Sequence, residues 1–262
     1  MSIKSVILAE TNSDMRKFLI EQKLNKLFYC PTKMDEEIKF LQIKRGNEGD
    51  RIGLHASSII TSDNEFCYRE QVLSLFYKQL QGKNIQIGLK RIFAEGDAIH
   101  EKWQRLFIRG NIGTPEDMDR TRFNKKYDLS FSPDAIVTIN KKQYIVEIKS
   151  QNTFIYKKQN SHPSGMKQLK FYMLLTGIEN GFVLVEDKNS QEFKVLIADY
   201  KTSEMDKYKE RLIKIQEYKQ KFLELRKVPK RICSSCNIKR VETCNMSECC
   251  WNKGEGRIKL KN

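Results

Sequence analysis

Asp134, Glu147 and Lys149 are the residues whose types and spacing most directly suggest chemistry. They lie in the stretch from Ser132 to Ser150, where two apolar runs flank Asn140-Lys141-Lys142-Gln143. Asn tolerates positive φ, so Asn140-Lys141 predicts a two-residue hairpin turn that pairs Ile139 with Lys142. Asp134 then falls opposite Glu147, Ala135 opposite Val146, and Val137 opposite Tyr144. Cross-strand Cβ atoms lie ~5 Å apart. Two carboxylates that close repel each other unless a cation sits between them. Hard oxygen ligands suit Mg²⁺ or Mn²⁺. Lys149 is two residues past Glu147, hence on the same face. Two acids, a divalent ion and an ammonium suit phosphodiester hydrolysis.

The register sorts the side chains. One face carries Ala135, Val137, Ile139, Tyr144, Val146 and Ile148; the other carries Asp134, Glu147 and Lys149 with Ile136 and Ile145. A one-residue slip would mix the faces. Glu-x-Lys alone reads as a solvated strand face. The aligned set of Asp134, Glu147 and Lys149 weighs against that plain reading.

Pro133-Asp134 and Glu147-Ile148-Lys149 together resemble the signature of the PD-(D/E)XK nuclease superfamily. Gly96-Asp97-Ala98-Ile99-His100-Glu101 upstream resembles the helical histidine motif of its RecB-type members. Gln168-Leu169-Lys170-Phe171-Tyr172 downstream matches their Gln-x-x-x-Tyr motif. The resemblance spans roughly 55–200. It implies that His100, Asp134, Glu147 and the Ile148 carbonyl hold Mg²⁺ or Mn²⁺. It implies that Lys149 assists catalysis and that Gln168 and Tyr172 help hold substrate. Taken alone, His100 reads as a helix-surface or core-edge histidine, and Gln168–Tyr172 as a partly buried polar pair.

Five of the seven cysteines cluster late, at Cys233, Cys236, Cys244, Cys249 and Cys250; the others are Cys30 and Cys67. A Cys-x-x-Cys start in a cytosolic chain suggests metal binding rather than disulfides. Some RecB-type nucleases, including CRISPR-associated and phage RecB-like exonucleases, carry one cysteine before the core and three after it. That resemblance implies a [4Fe–4S] cluster on Cys67, Cys233, Cys236 and Cys244, with Cys249 or Cys250 as substitutes. The gap before Cys244 is longer than the family's usual spacing. A zinc site built from the tail cysteines is the competing reading.

These residues need elements to position them. The pattern predicts a helix from an Asn12-Ser13-Asp14 cap, after a short strand, and a helix beginning near Asp63. A longer helix covers about 88–108. Strands are expected at Arg122–Phe131, Asp134–Ile139, Gln143–Lys149, Gly181–Glu186 and Glu192–Ile197. Helices are expected over Ser164–Leu175 and from Ser203 to about Lys227. Residues 34–50 give no clear pattern. The fold class is mixed α/β (α+β): by resemblance a restriction-endonuclease-like core, its central mixed sheet flanked by helices and closed by a cysteine clasp. The expected division is a helical extension over 1–50, the nuclease core over 51–228 and the cysteine-rich tail over 229–262.

The chain carries +15, from 48 Lys and Arg against 33 Asp and Glu among 262 residues. Residues 201–262 hold 17 of the cations and 8 of the acids. Such an excess suggests a polyanionic partner, most simply nucleic acid. Arg120, Arg122, Lys125 and Lys126 lead into the hairpin, and Lys157 and Lys170 follow it, as DNA-contact candidates. Tyr156 and Phe154 offer rings for stacking on bases, with core packing an equal reading for Phe154. With 39% hydrophobic residues the chain is not a disordered polyelectrolyte. No apolar run approaches a membrane span. The first ten residues hold too short an apolar stretch for a signal peptide, so a cytoplasmic address is expected, bacterial or phage-encoded in a host. No P-loop occurs, so unwinding would fall to a helicase partner; a recombinase or integrase is the other kind of partner expected.

The function expected is a metal-dependent DNA nuclease, chiefly an exonuclease on single strands or free ends, serving recombination, replication, repair or CRISPR adaptation. The alternative is a non-catalytic nucleic-acid-binding module with a structural zinc or iron–sulfur tail. A restriction-type endonuclease is a third reading, but no segment is a candidate for base-specific contacts.

Overall fold

The computed structural model describes residues 13–27, 53–77, 87–233 and 244–250. The expected N-terminal strand, residues 34–50, Cys30 and Cys236 lie outside them. In chain order the described elements are α1 (Ser13–Leu27), β1 (Leu54–His55), α2 (Ala56–Ile59), α3 (Tyr68–Ser74), α4 (Ile87–Arg109), β2 (Arg122–Asn124), β3 (Leu129–Phe131), β4 (Ala135–Ile139), β5 (Lys142–Gln151), α5 (Thr153–Lys158), α6 (Pro163–Thr176), β6 (Gly181–Asp187), β7 (Phe193–Ile197), α7 (Asp206–Leu225) and α8 (Ser247–Cys250). Short 3-10 turns cover Pro115–Asp117 and Thr202–Met205. The chain is mixed α/β, with mixed sheets flanked by helices.

The elements fall into two compact units, the first within 1–47, 86–121 and 132–201, the second within 48–85, 122–131 and 202–262. The first unit is built on the sheet β4-β5-β6-β7. The β4–β5 hairpin closes at Asn140 and Lys141, both at positive φ (49° and 63°). That combination matches the right-handed twist of the flanking strands. Ile139 pairs with Lys142 and Ala135 with Val146, the register that the alternation of apolar residues implies. β5 runs parallel to β6, and β6 antiparallel to β7.

Ala135, Val137, Ile139, Tyr144, Val146 and Ile148 all enter one core with Phe182, Leu184 and Val195. Helix α1 adds Ile20, Leu24 and Leu27, and α4 adds Ile99, Trp103, Leu106 and Phe107. Each such side chain removed from water contributes roughly 1.5–3 kcal/mol. Helix α6 packs against β5 and β6. Pro163 at its first turn and Gly177 at φ 75° beyond its last give it the usual start and stop.

The second unit holds the sheet β1-β3-β2 with α2, α3, α7 and α8. The stretch 122–131, expected as one strand, is instead a hairpin in which Arg122 pairs with Phe131. Asp128 turns the chain at φ 48°, and Lys219 and Gln216 of α7 hold Asp128 and the Tyr127 carbonyl at 2.6 and 2.8 Å. The helix expected from Asp63 starts at Tyr68, with Cys67 as its N-cap. Ser62 spends its hydroxyl on Glu65 at 2.8 Å, which closes a turn rather than a helix. The last long helix ends at Arg226, at φ 53°.

Candidate active site

Asp134 immediately precedes β4 and is 8% exposed. Its Oδ2 accepts the backbone N–H of Ile148 at 2.6 Å. Its backbone carbonyl accepts the Asp119 N–H at 3.1 Å and the Gln104 side-chain amide at 2.8 Å. Its Oδ1 lies 3.4 Å from His100 Nδ1. Helix α4 supplies both His100 and Gln104, one turn apart, so they share a face. Burial opposes the charge on His100, but the bond to Asp134 and its negative charge prevail, and the imidazole's pKa rises above its ordinary value.

Glu147, on the central strand β5, is fully buried. Its Oε1 lies 2.6 Å from Lys149 Nζ. Its Oε2 has no hydrogen-bond partner among the described residues. Burial raises the Glu147 pKa well above the usual carboxylate range, and the negative charge of Asp134 adds to it; Lys149 opposes both. For Lys149, burial pulls downward, yet Glu147 and Asp134 hold its pKa above the ordinary lysine value.

Helix α6 completes this face. Lys149 Nζ reaches Gln168 Oε1 at 3.4 Å, and Gln168 Nε2 donates to the Tyr172 hydroxyl at 2.9 Å. The i, i+4 spacing of Gln168 and Tyr172 makes their bond possible. Burial and the nearby Glu147 push the Tyr172 phenol upward, so it stays a neutral hydroxyl. Glu147, Lys149, Gln168 and Tyr172 therefore form one chain of polar contacts. His100 and Asp134 form a second, joined to the first through the Asp134–Ile148 bond.

Among the described residues, no three or more His, Cys, Asp or Glu side chains converge to hold a metal ion. Glu147 is turned to Lys149 instead. The donor set nevertheless fits a hard cation. It offers an imidazole and two buried carboxylates, one with an orphaned oxygen, and burial together with the Asp134 charge makes Glu147 costly to ionise without a cation.

The basic candidates divide. Arg120, Lys157 and Lys170 belong to the unit that holds the acids, with Arg120 and Lys157 exposed. Arg122, Lys125 and Lys126 belong to the other unit. There Lys126 lies 5.1 Å from the Tyr127 ring centroid. The second unit also holds the described tail cysteines. Cys67 and Cys250 are buried, while Cys233, Cys244 and Cys249 are partly exposed. Burial pushes the Cys244 thiol up to about 12, and Glu70, Cys67 and Cys250 add to it. Arg69 is 1% exposed and donates to Cys250 Sγ at 3.2 Å and to the Pro229 carbonyl at 3.1 Å.

Two residues absent from the sequence reading support the site. Gln104 pins the Asp134 backbone, as above. Glu186 on β6 is 1% exposed. It accepts Trp103 Nε1 and Lys102 Nζ, each at 2.5 Å. It thereby ties the helix bearing His100 to the strand beside β5. An acid ending an otherwise apolar strand run was the available signal.

No family model and no curated protein matches the chain. Among solved structures it is similar to an alkaline exonuclease (LHK-Exo) from Laribacter hongkongensis, with 15% identity, 66% of this chain and 91% of that one covered, and a TM-score of 0.48. The same exonuclease in complex with dAMP gives 14% identity over 66% and 94% of the two chains, with a TM-score of 0.45. A protein designated SSO0001 covers 94% of this chain and 98% of its own, at 14% identity and a TM-score of 0.42.

Proposed function

We propose that this chain is a divalent-metal-dependent DNA nuclease of the PD-(D/E)XK, RecB-like type, acting on single strands or free ends. One observation carries the reading: Asp134 holds the Ile148 N–H at 2.6 Å, between Glu147 and Lys149, whose charged groups lie 2.6 Å apart, and His100 is 3.4 Å from Asp134. A strand face of ordinary solvated charges would not bury Glu147 completely.

His100, Asp134, Glu147 and the Ile148 carbonyl are the residues to hold the ion. When bound, Mg²⁺ or Mn²⁺ supplies Lewis-acid activation of water and neutralises phosphate charge. Lys149 presents a fixed ammonium where negative charge develops on the phosphoryl oxygens. Gln168 orients that ammonium from the far side, and Tyr172 orients Gln168. The Ile148 N–H occupies Asp134 Oδ2, which leaves Oδ1 as the acid's ligand atom.

The cysteine clasp is a separate part of the proposal. Cys67 and the tail cysteines are proposed to hold a [4Fe–4S] cluster, with zinc as the alternative. The Arg69 guanidinium against Cys250 Sγ suits a thiolate there; burial raises the Cys67 and Cys244 thiols, so those two would give up their protons to the metal itself. Anaerobic purification tests it. A broad absorbance band near ~400 nm supports the cluster, and a colourless protein with stoichiometric zinc refutes it.

The nuclease reading is tested on end-labelled single-stranded DNA. Cleavage that appears with Mg²⁺ or Mn²⁺ and vanishes with EDTA supports it. Tight binding without cleavage under any divalent metal would make the chain a binding module instead.

A further inference from the structure

Helix α5 follows the strand that carries Lys149, and none of its six residues is buried. Phe154 is 72% exposed, so the ring is not a core residue. Six residues are too few for a self-supporting helix. Yet α5 is held at both ends. Asn152 Oδ1 caps it by accepting the Ile155 N–H at 2.9 Å. Thr153 is bonded to Asp187 at 2.9 Å and to Asn189 at 2.8 Å. Lys194 donates to the carbonyls of Tyr156, at 2.7 Å, and of Gln159. It also lies 4.3 Å from the Tyr156 ring centroid.

A lone exposed apolar side chain is common and needs no explanation. Here the helix that carries the ring is anchored at both ends, and the ring stands in water beside a cation. Lys158 Nζ lies 5.4 Å from its centroid, and Lys157 is exposed beside it. Beyond α5 the chain enters a cleft of about 290 Å³ lined by Asn160, Ser161, His162 and Lys17, among others. The near end of that cleft adjoins the reactive face. A Cβ on Gly165 would stand 2.9 Å from His162 Nδ1 and 3.2 Å from Lys149 Cγ, so His162 of the cleft and Lys149 of the reactive face both pack against this glycine.

We propose that α5 and this cleft form a subsite for single-stranded nucleic acid, with the Phe154 ring stacked on a base and Lys157 and Lys158 paired with phosphates. This rests on the nuclease reading for its purpose, though not for its measurement. An aromatic face flanked by cations is the chemistry of sequence-tolerant strand binding. Bases paired inside a duplex present no free face to the ring, so the subsite favours single strands.

The test is fluorescence anisotropy in EDTA, where no cleavage intrudes. The probes are labelled oligo-dT, an abasic oligomer of the same length, and a duplex. Phe154→Ala is expected to weaken oligo-dT binding on the order of 10-fold, to leave abasic and duplex binding unchanged, and to be rescued by Phe154→Trp. The proposal is overturned if Phe154→Ala binds oligo-dT as wild type does. It is equally overturned if the variant loses affinity for the abasic oligomer to the same extent. Failure here leaves the cleavage reading standing. Conversely, a protein that shows Phe154-dependent binding but no metal-dependent cleavage defeats the cleavage reading alone.

Discussion

Asp134 Oδ2 accepts the backbone N–H of Ile148 at 2.6 Å, so the first acid is locked to the strand that carries the second. The bond removes a rotamer choice from Asp134 and presents Oδ1 toward His100. It also makes the pair of acids a property of the hairpin register rather than of two independent side chains. Shifting either strand by one residue would separate them.

Metal affinity should rise with pH. The folded protein holds the Glu147 carboxyl well above its ordinary pKa, through burial first and Asp134 second. The ion needs the ionised form, so proton and metal compete, and binding releases a proton. Apparent Mn²⁺ affinity should climb as pH rises above the ordinary carboxylate range toward neutrality. Titration calorimetry in buffers of different ionisation enthalpy measures this. Affinity that is flat with pH, with no proton released, would contradict the assignment of Glu147.

Glu186 should matter for stability without touching substrate. Glu186→Ala strands the Trp103 indole N–H and the Lys102 ammonium, each bonded to it at 2.5 Å. Lys102 is partly exposed and can turn to water, so the main cost is the buried indole N–H left unsatisfied, about 2 kcal/mol. Glu186→Gln, which keeps an acceptor, should cost roughly half of that. Urea denaturation resolves the two variants. Equal stability of Glu186→Ala and wild type would show that the clamp does not hold the helix.

Gly165→Ala should damage the site by crowding it. The added methyl would lie 2.9 Å from His162 Nδ1, 3.2 Å from Lys149 Cγ and 3.3 Å from Val183 Cγ1. Overpacking of this kind costs about 1–3 kcal/mol. Lys149 is the neighbour that moves most cheaply, so the turnover rate should fall more than the melting temperature. A variant with full turnover would show that the position of Lys149 tolerates the shift.

Much of this site was legible because a β-strand's period of two leaves a readable trace. Alternation set the Ile139–Lys142 register, which runs to Ala135–Val146 and brings Asp134, just before the strand, to the Ile148 N–H. The His100–Asp134 approach was different. Nothing in the spacing from residue 100 to residue 134 implies contact, and only the resemblance suggested it. Gln104 and Glu186 were illegible for a related reason: polar residues in apolar surroundings show that a partner exists, not which one. The β2–β3 hairpin was missed because Lys125-Lys126-Tyr127-Asp128 contains neither Gly nor Pro, and Asp128 takes the positive φ instead. Ser62-Asp63-Asn64-Glu65 carries a helix-capping pattern, yet Arg211 draws Asp63 away at 2.5 Å and the helix waits until Tyr68. Tertiary partners decided both cases, and they lie more than 80 residues along the chain.

The most direct measurement is the Mn²⁺-dependent cleavage rate of end-labelled single-stranded DNA for wild type, Asp134→Ala and Lys149→Ala, with circular dichroism on each protein. Cleavage by wild type and none by either folded variant is expected. Full cleavage by either variant, or none by wild type, would contradict the cleavage reading.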